Sequence, residues 1–229
     1  MNAMTDDLEL LRNYAAQGSD DAFRSVLERH VGLVYWAALR QVRDPHLAQE
    51  VTQAVFVVLA RKAGSLRTGT VLVGWLFRTT RFVAARALRD EQLRQRREQE
   101  AAQMEPCSTA ADASWDEIAP ALDEALAHLG ETDRHAVLLR FFEEKEFKEV
   151  GHVLGNSEEG ARKRVSRALE KLRGFLVRRG IALSTLHWQL RWWKMRFKPR
   201  RPDFPPRLLP RSRAAVLEPS RHWHSRKPR

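Results

Sequence analysis

Apolar residues along this chain recur at helical spacing. Leu47, Val51, Ala54, Val55, Val58 and Leu59 stand at i, i+4, i+7, i+8, i+11 and i+12, which is one face of an α-helix. Asp44 is an N-cap candidate, and Pro45 suits the first helical position, where its missing N–H costs no hydrogen bond. Upstream, Leu8, Leu11 and Tyr14 mark a short helix, and Phe23, Val26, Leu27, His30 and Val34 mark another. Downstream, residues 64–69 read as a loop. Leu72, Trp75, Leu76, Thr79, Val83 and Ala87 then carry a long helix that continues into an Arg/Gln/Glu-rich stretch. Together these predict a helical bundle over residues 5–98.

Residues 99–116, with Pro106, Ser108 and Thr109, lack an apolar period and read as a flexible linker. Beyond it, Ile118, Leu122, Leu126 and Leu129 predict a helix closed by Gly130. Further helices are expected over 136–142, 147–154 and 157–173, giving a second small helical domain over 117–179. No period-two alternation is sustained over a strand's length, so the fold class expected is all-α, without a sheet. After residue 180 the character changes: 7 of the 10 prolines and 4 of the 7 tryptophans lie there. This tail, 180–229, is expected to be disordered, with one short basic amphipathic helix carried by Leu186, Leu190, Trp193 and Phe197 before Pro199 stops it.

Composition narrows the function. The chain has 229 residues, 43% hydrophobic and 30% charged, enough for one or two small packed domains. Its single cysteine, Cys107, cannot close an internal disulfide, which points to a reducing compartment, the cytoplasm. The opening residues, with Asp6, Asp7 and Glu9, are not expected to act as a signal peptide, and no apolar run in the sequence approaches the length of a spanning helix. The net charge of +11 is unevenly placed. Residues 1–180 balance 27 basic against 27 acidic groups, and the tail holds 13 basic against 2 acidic. Within the balanced part, 61–97 hold 10 basic and 2 acidic residues, 98–133 hold 10 acidic and no basic, and 158–180 hold 8 basic and 3 acidic. Two cationic blocks flank an anionic one, as expected for two separate contacts with a polyanion, nucleic acid first among them.

Two constellations fit that ligand. In the stretch from Phe147 to Arg173, a short helix ends at Gly155, which can take the left-handed conformation, and Asn156 or Ser157 caps the next helix. That is a helix-turn-helix. On its second helix Ala161, Val165, Ala168, Leu169 and Leu172 face the core, while Arg162, Lys163, Arg164 and Arg167 project where long cations reach phosphates and guanine edges. The second constellation is a basic stripe, Arg78, Arg81, Arg86 and Arg89, with Trp75, Phe77 and Phe82 interleaved. Cations hold phosphates and aromatics stack on unpaired bases, so single-stranded DNA is a candidate ligand. Core packing is the competing expectation for Trp75 and Phe77. The eight histidines are dispersed, and neither a phosphate-cradling loop nor a nucleophile motif is present. No catalytic residue, metal or cofactor is expected; His128, His135 and His152 are expected to cap, pack or face solvent.

In their order and spacing these segments resemble the extracytoplasmic-function (ECF) class of bacterial RNA polymerase sigma factors over residues 8–179. Ala48-Gln-Glu-Val-Thr-Gln-Ala-Val-Phe56 resembles the region 2 helix that docks on the polymerase β′ clamp, which implies docking roles for Gln49, Glu50, Gln53 and Phe56. Gly74-Trp-Leu-Phe-Arg resembles the start of the segment that melts and reads the minus 10 element, implying that role for Trp75, Arg78, Arg81, Phe82, Arg86 and Arg89. Leu122 to Arg173 resembles region 4, implying minus 35 contacts by Ser157, Glu158, Arg162, Lys163, Arg164 and Arg167. The sequence departs from the family where Gln49 and Glu50 stand in place of Glu and Asp, and where Phe82 replaces a common Asn. The resemblance implies core RNA polymerase (β and β′ subunits), promoter DNA and an anti-sigma factor as partners. It also suggests that the acidic linker, with Glu105, Asp112, Asp116 and Glu117, mimics nucleic acid in polymerase channels. The alternatives are a stand-alone helix-turn-helix regulator and a membrane-surface protein that uses Leu186 to Phe197.

Overall fold

The structure is a computed structural model and describes residues 3–102 and 118–180. The tail helix expected near Leu186 to Phe197, the linker carboxylates and Cys107 lie outside the described residues. Among the described residues eight α-helices carry the fold and no strand occurs. The first four are α1 (Ala3–Gln17), α2 (Asp20–Val42), α3 (Pro45–Lys62) and α4 (Leu72–Ala102). Local chemistry places their ends. Ser19 caps α2 by accepting from the Ala22 N–H, and Asp44 caps α3 by accepting from the Leu47 N–H at 2.6 Å, with Pro45 in the first turn. Between α3 and α4 a short 3-10 turn, Ala63–Ser65, leads into a loop in which Gly69 takes a φ of +85°. The helix α4 runs through residues 99–102, which the sequence assigns to the linker; Arg, Gln and Glu are good helix formers, and no breaker precedes Pro106.

The C-terminal helices are α5 (Ile118–His128), α6 (Glu131–Val137), α7 (Phe147–Val153) and α8 (Glu158–Arg178). Gly130 does not close α5 in a left-handed conformation. Its φ of −55° and ψ of 152° make it the N-cap of α6, and its carbonyl accepts from the Arg134 N–H at 2.9 Å. Leu138–Phe142, expected as ordinary helix, continue α6 with the wider π-type hydrogen bonding. There the Glu143 N–H reaches back five residues to the Leu138 carbonyl at 3.2 Å.

The stripe read from α3 is the core of the N-terminal bundle. Val51, Val55 and Leu59 are buried, packed with Val26 and Val34 of α2 and with Leu72 and Leu76 of α4. Burying one such side chain contributes roughly 1.5–3 kcal/mol. The apolar cluster continues without a break into Leu126, Leu138, Val165 and Leu172 of the C-terminal helices. Helix α5 packs on α2 and on α8, and α6 packs on α4 and on α8. The two helical units therefore meet over a shared apolar seam, an arrangement that no local periodicity encodes.

Candidate nucleic-acid interface

The turn between α7 and α8 is built by three short-range devices. Gly155 takes a φ of +66°, and the Asn156 N–H donates to the Gly151 carbonyl at 2.8 Å, which ends α7. Gly151 lets the backbone close. A Cβ there would stand 2.7 Å from the Asn156 carbonyl oxygen and 2.8 Å from that of Ser157. Ser157 then caps α8 by accepting from the Gly160 N–H at 3.1 Å, and Glu158 and Glu159 sit in the first turn, where carboxylates suit the helix dipole. The Ser157 hydroxyl is thus already engaged within the turn.

Helix α8 buries Ala161, Val165, Ala168, Leu172 and Leu176 and exposes Arg162, Lys163 and Arg167. Arg162 pairs with Glu158 at 3.2 Å and Lys163 with Glu159 at 2.6 Å. Both pairs are solvent-exposed and so weak enough for a phosphate to displace. The Arg162 guanidinium also lies over the Phe147 ring, 4.9 Å from its centroid. Arg164 is placed differently from the other three. It is half-buried and donates to Asp133 of α6 at 3.1 Å, while Lys171 donates to the same carboxylate at 2.7 Å. Burial pushes the Asp133 carboxyl up, but the hydrogen bonds and charges of Lys171 and Arg164 outweigh it and hold the group below the usual carboxylate range. Arg164 therefore ties α8 to α6, and the outward cationic face is Arg162, Lys163 and Arg167.

On α4, Arg78 and Arg89 are exposed, Arg81 and Arg86 are half-buried, and Arg86 lies 3.9 Å from Asp90. Phe82 stands out. It is 68% exposed, an aromatic face offered to solvent between arginines. Phe77 is buried, and Trp75 is half-buried against the core, as the packing expectation has it. On α3, Glu50 and Gln53 are exposed and Gln49 is half-buried. Phe56 is 1% exposed, so it supports that face from beneath and takes no part in its surface.

Residues 26–94 match the family described as Sigma-70 region 2, and residues 125–174 match Sigma-70, region 4. The RNA polymerase sigma factor CarQ of Myxococcus xanthus is 36% identical over 163 residues, covering 69% of this chain and 91% of that protein. This chain is an ECF sigma factor. The ECF RNA polymerase sigma factor SigK of Mycobacterium sp. (strain KMS) is 28% identical over 158 residues, covering 66% of this chain and 81% of that one. Among solved structures, the sigma factor RpoE in complex with the anti-sigma factor NepR from Bartonella quintana shares 21% identity with a TM-score of 0.32, covering 67% of this chain and 96% of that one.

The sigma factor recognises promoters for RNA polymerase and acts in transcription initiation as a non-catalytic subunit; its partners are core polymerase and promoter DNA. Among the described residues no cluster of His, Cys, Asp and Glu is arranged to hold a metal ion, and no helix is long and apolar enough to cross a membrane. His128 Nδ1 donates to the Glu124 carbonyl at 2.9 Å, His152 is exposed and His135 is buried. Sequence reasoning missed two contributors to the region 4 site. Asp133 has no local signal, because its partners lie 31 and 38 residues away. Gly151 had one: a glycine within the first helix of a helix-turn-helix, where a side chain would meet the turn.

Proposed function

We propose that the two exposed cationic faces divide the promoter between them. Arg162, Lys163 and Arg167 of α8 enter the major groove of the minus 35 duplex, while Arg78, Arg81, Arg86 and Arg89 of α4 hold the backbone of the opened minus 10 strand. Phe82, with Trp75 beside the core, supplies the ring on which an unpaired base stacks. Glu50, Gln53 and Gln49 on α3 form the face that docks on the β′ clamp, and region 4 meets the β subunit. Ser157 and Glu158 act by shaping the start of the recognition helix: one caps it and the other orients Arg162. In this reading the chain is organised as residues 5–98, 99–116, 117–179 and 180–229, with the acidic linker passing through the polymerase, and it works in the cytoplasm. An anti-sigma factor is a partner to be sought by co-purification.

The observation that carries this reading is the face of α8. Immediately after a left-handed glycine turn, three long cations point to solvent while the opposite side of the helix is buried. Footprinting of the holoenzyme tests it. Arg162→Ala, Lys163→Ala and Arg167→Ala each weaken protection of the upstream element, a lost bidentate base contact by ~1–3 kcal/mol. Protection equal to the unaltered protein in all three removes the assignment. Initiation that needs core polymerase separates this reading from a stand-alone regulator.

A further inference from the structure

Two guanidiniums from different elements converge on one ring. Arg140, in the π turn, lies 5.0 Å from the centroid of the Phe147 ring, and Arg162, on the exposed face of α8, lies 4.9 Å from it. Phe147 opens α7, and its place is fixed from several sides. The ring packs half-buried against the core. The Glu149 side chain accepts from the Glu146 N–H at 2.9 Å, which holds the start of α7, and Arg140 Nη1 donates to the Lys145 carbonyl at 3.3 Å, which closes the turn leading into it. Apart from the ring, the described residues offer Arg162 one ion pair, with Glu158 at 3.2 Å, and both of those side chains are exposed. Neither Lys163 nor Arg167 has such a ring contact among the described residues.

We propose that Phe147 is a positioning residue for promoter recognition: its ring holds the Arg162 guanidinium at the outer surface of α8 in the geometry that meets a base edge. The inference rests on the assignment of α8 to the minus 35 duplex. The ion pair with Glu158 occupies guanidinium N–H donors that a guanine edge needs, so that pair opens when DNA arrives. A ring makes no such demand. It attracts the cation through its π face and leaves the N–H groups free to donate, so the ring contact persists as the base takes the place of Glu158. An arginine already held on a fixed ring loses less rotamer freedom on binding than one that is free to turn. Lys163 and Arg167, without a ring, bring charge to the same face but no preset direction, so the effect is specific to Arg162.

Phe147→Leu tests the proposal, because leucine keeps an apolar side chain against the core and removes the ring. Phe147→Met is the second variant; its unbranched side chain fills the same half-buried space if leucine fits it poorly. Both are made in the full chain, with thermal melting to verify the fold, and the holoenzyme is titrated against a minus 35 promoter duplex and a scrambled duplex. Binding of the promoter duplex weakens about fivefold in both variants. Binding of the scrambled duplex is unchanged, since no charge has been removed. Phe147→Tyr, which restores a ring, stays within about twofold of the unaltered protein. In an Arg162→Ala background the loss of the ring costs nothing further, whereas in an Arg167→Ala background it keeps its full effect. Unchanged promoter binding in both ringless variants, equal weakening on the two duplexes, or a loss that adds to that of Arg162→Ala makes Phe147 a packing residue alone and overturns the proposal. Failure of the α8 assignment looks different: Arg162→Ala itself then leaves promoter-duplex binding unchanged, and the role of Phe147 falls with it.

Discussion

Replacing Gly151 by alanine normally strengthens a helix by ~1 kcal/mol, and here the opposite is expected. The new methyl group meets the carbonyl oxygens of Asn156 and Ser157, which are backbone and cannot swing aside. Gly151→Ala therefore lowers the melting temperature of region 4, while Gly174→Ala in α8, whose Cβ would meet nothing nearer than the flexible Arg178 end at 3.6 Å, does not. A calorimetric comparison of the two decides between a required glycine and a tolerated one. Asp133 sets a pH dependence. Its carboxyl titrates lower in the folded protein than in the unfolded chain, so its stabilisation is complete above the ordinary carboxylate range and is lost as pH falls through the depressed value. Acid unfolding monitored by circular dichroism should lose part of its steepness in Asp133→Asn. An identical acid transition in the two proteins contradicts the Arg164–Asp133–Lys171 account.

Helices α4 and α8 carry the same charge for different purposes. In the proposed division the α8 cations meet a duplex, whereas α4 adds an exposed aromatic, Phe82, which a duplex backbone has no use for and an unpaired base does. Phe82→Ala should weaken binding of a minus 10 non-template oligonucleotide by ~1–3 kcal/mol and leave minus 35 duplex binding unchanged, measured by fluorescence anisotropy on the holoenzyme. Equal losses on both ligands sink the division of labour. At this scale much was legible from spacing and caps alone. Asp44 with Pro45 announced α3, and Gly155 with Ser157 announced the turn, because such signals act within four residues. The π turn at Leu138–Phe142 was not, since an i, i+3, i+4 apolar pattern serves either helix. Neither was Gly130, whose place between two helices suits a C-cap or an N-cap, and Leu129, with Glu131 and Asp133 after it, is consistent with both. The burial of Phe56, to which the resemblance assigns a docking role, and the pairing of Arg164 with Asp133 depend on neighbours that its own helix does not encode.

Across the whole molecule, the contacts that hold the two regions together join residues far apart in sequence, Arg40 with Asp123 across 83 positions. Nothing local distinguishes those two side chains from a solvated arginine and aspartate, so the seam was invisible until the chain was folded. Its seat includes an imidazole held neutral. Burial lowers the His135 pKa, Arg134 and Arg78 lower it further, and Glu131 opposes them. The packing of the two regions is thus at full strength above the ordinary histidine range and weakens as pH falls through it, since exposure lets the ring take a proton. The measurement that tests the central claim most directly is run-off transcription with core polymerase on templates altered in one element at a time. The account predicts specific starts only when the protein is added. It also predicts that α8 substitutions remove the dependence on the upstream element alone, and α4 substitutions the dependence on the downstream one. Starts that appear without the protein, or a dependence on both elements that survives removal of the α8 cations, would contradict it.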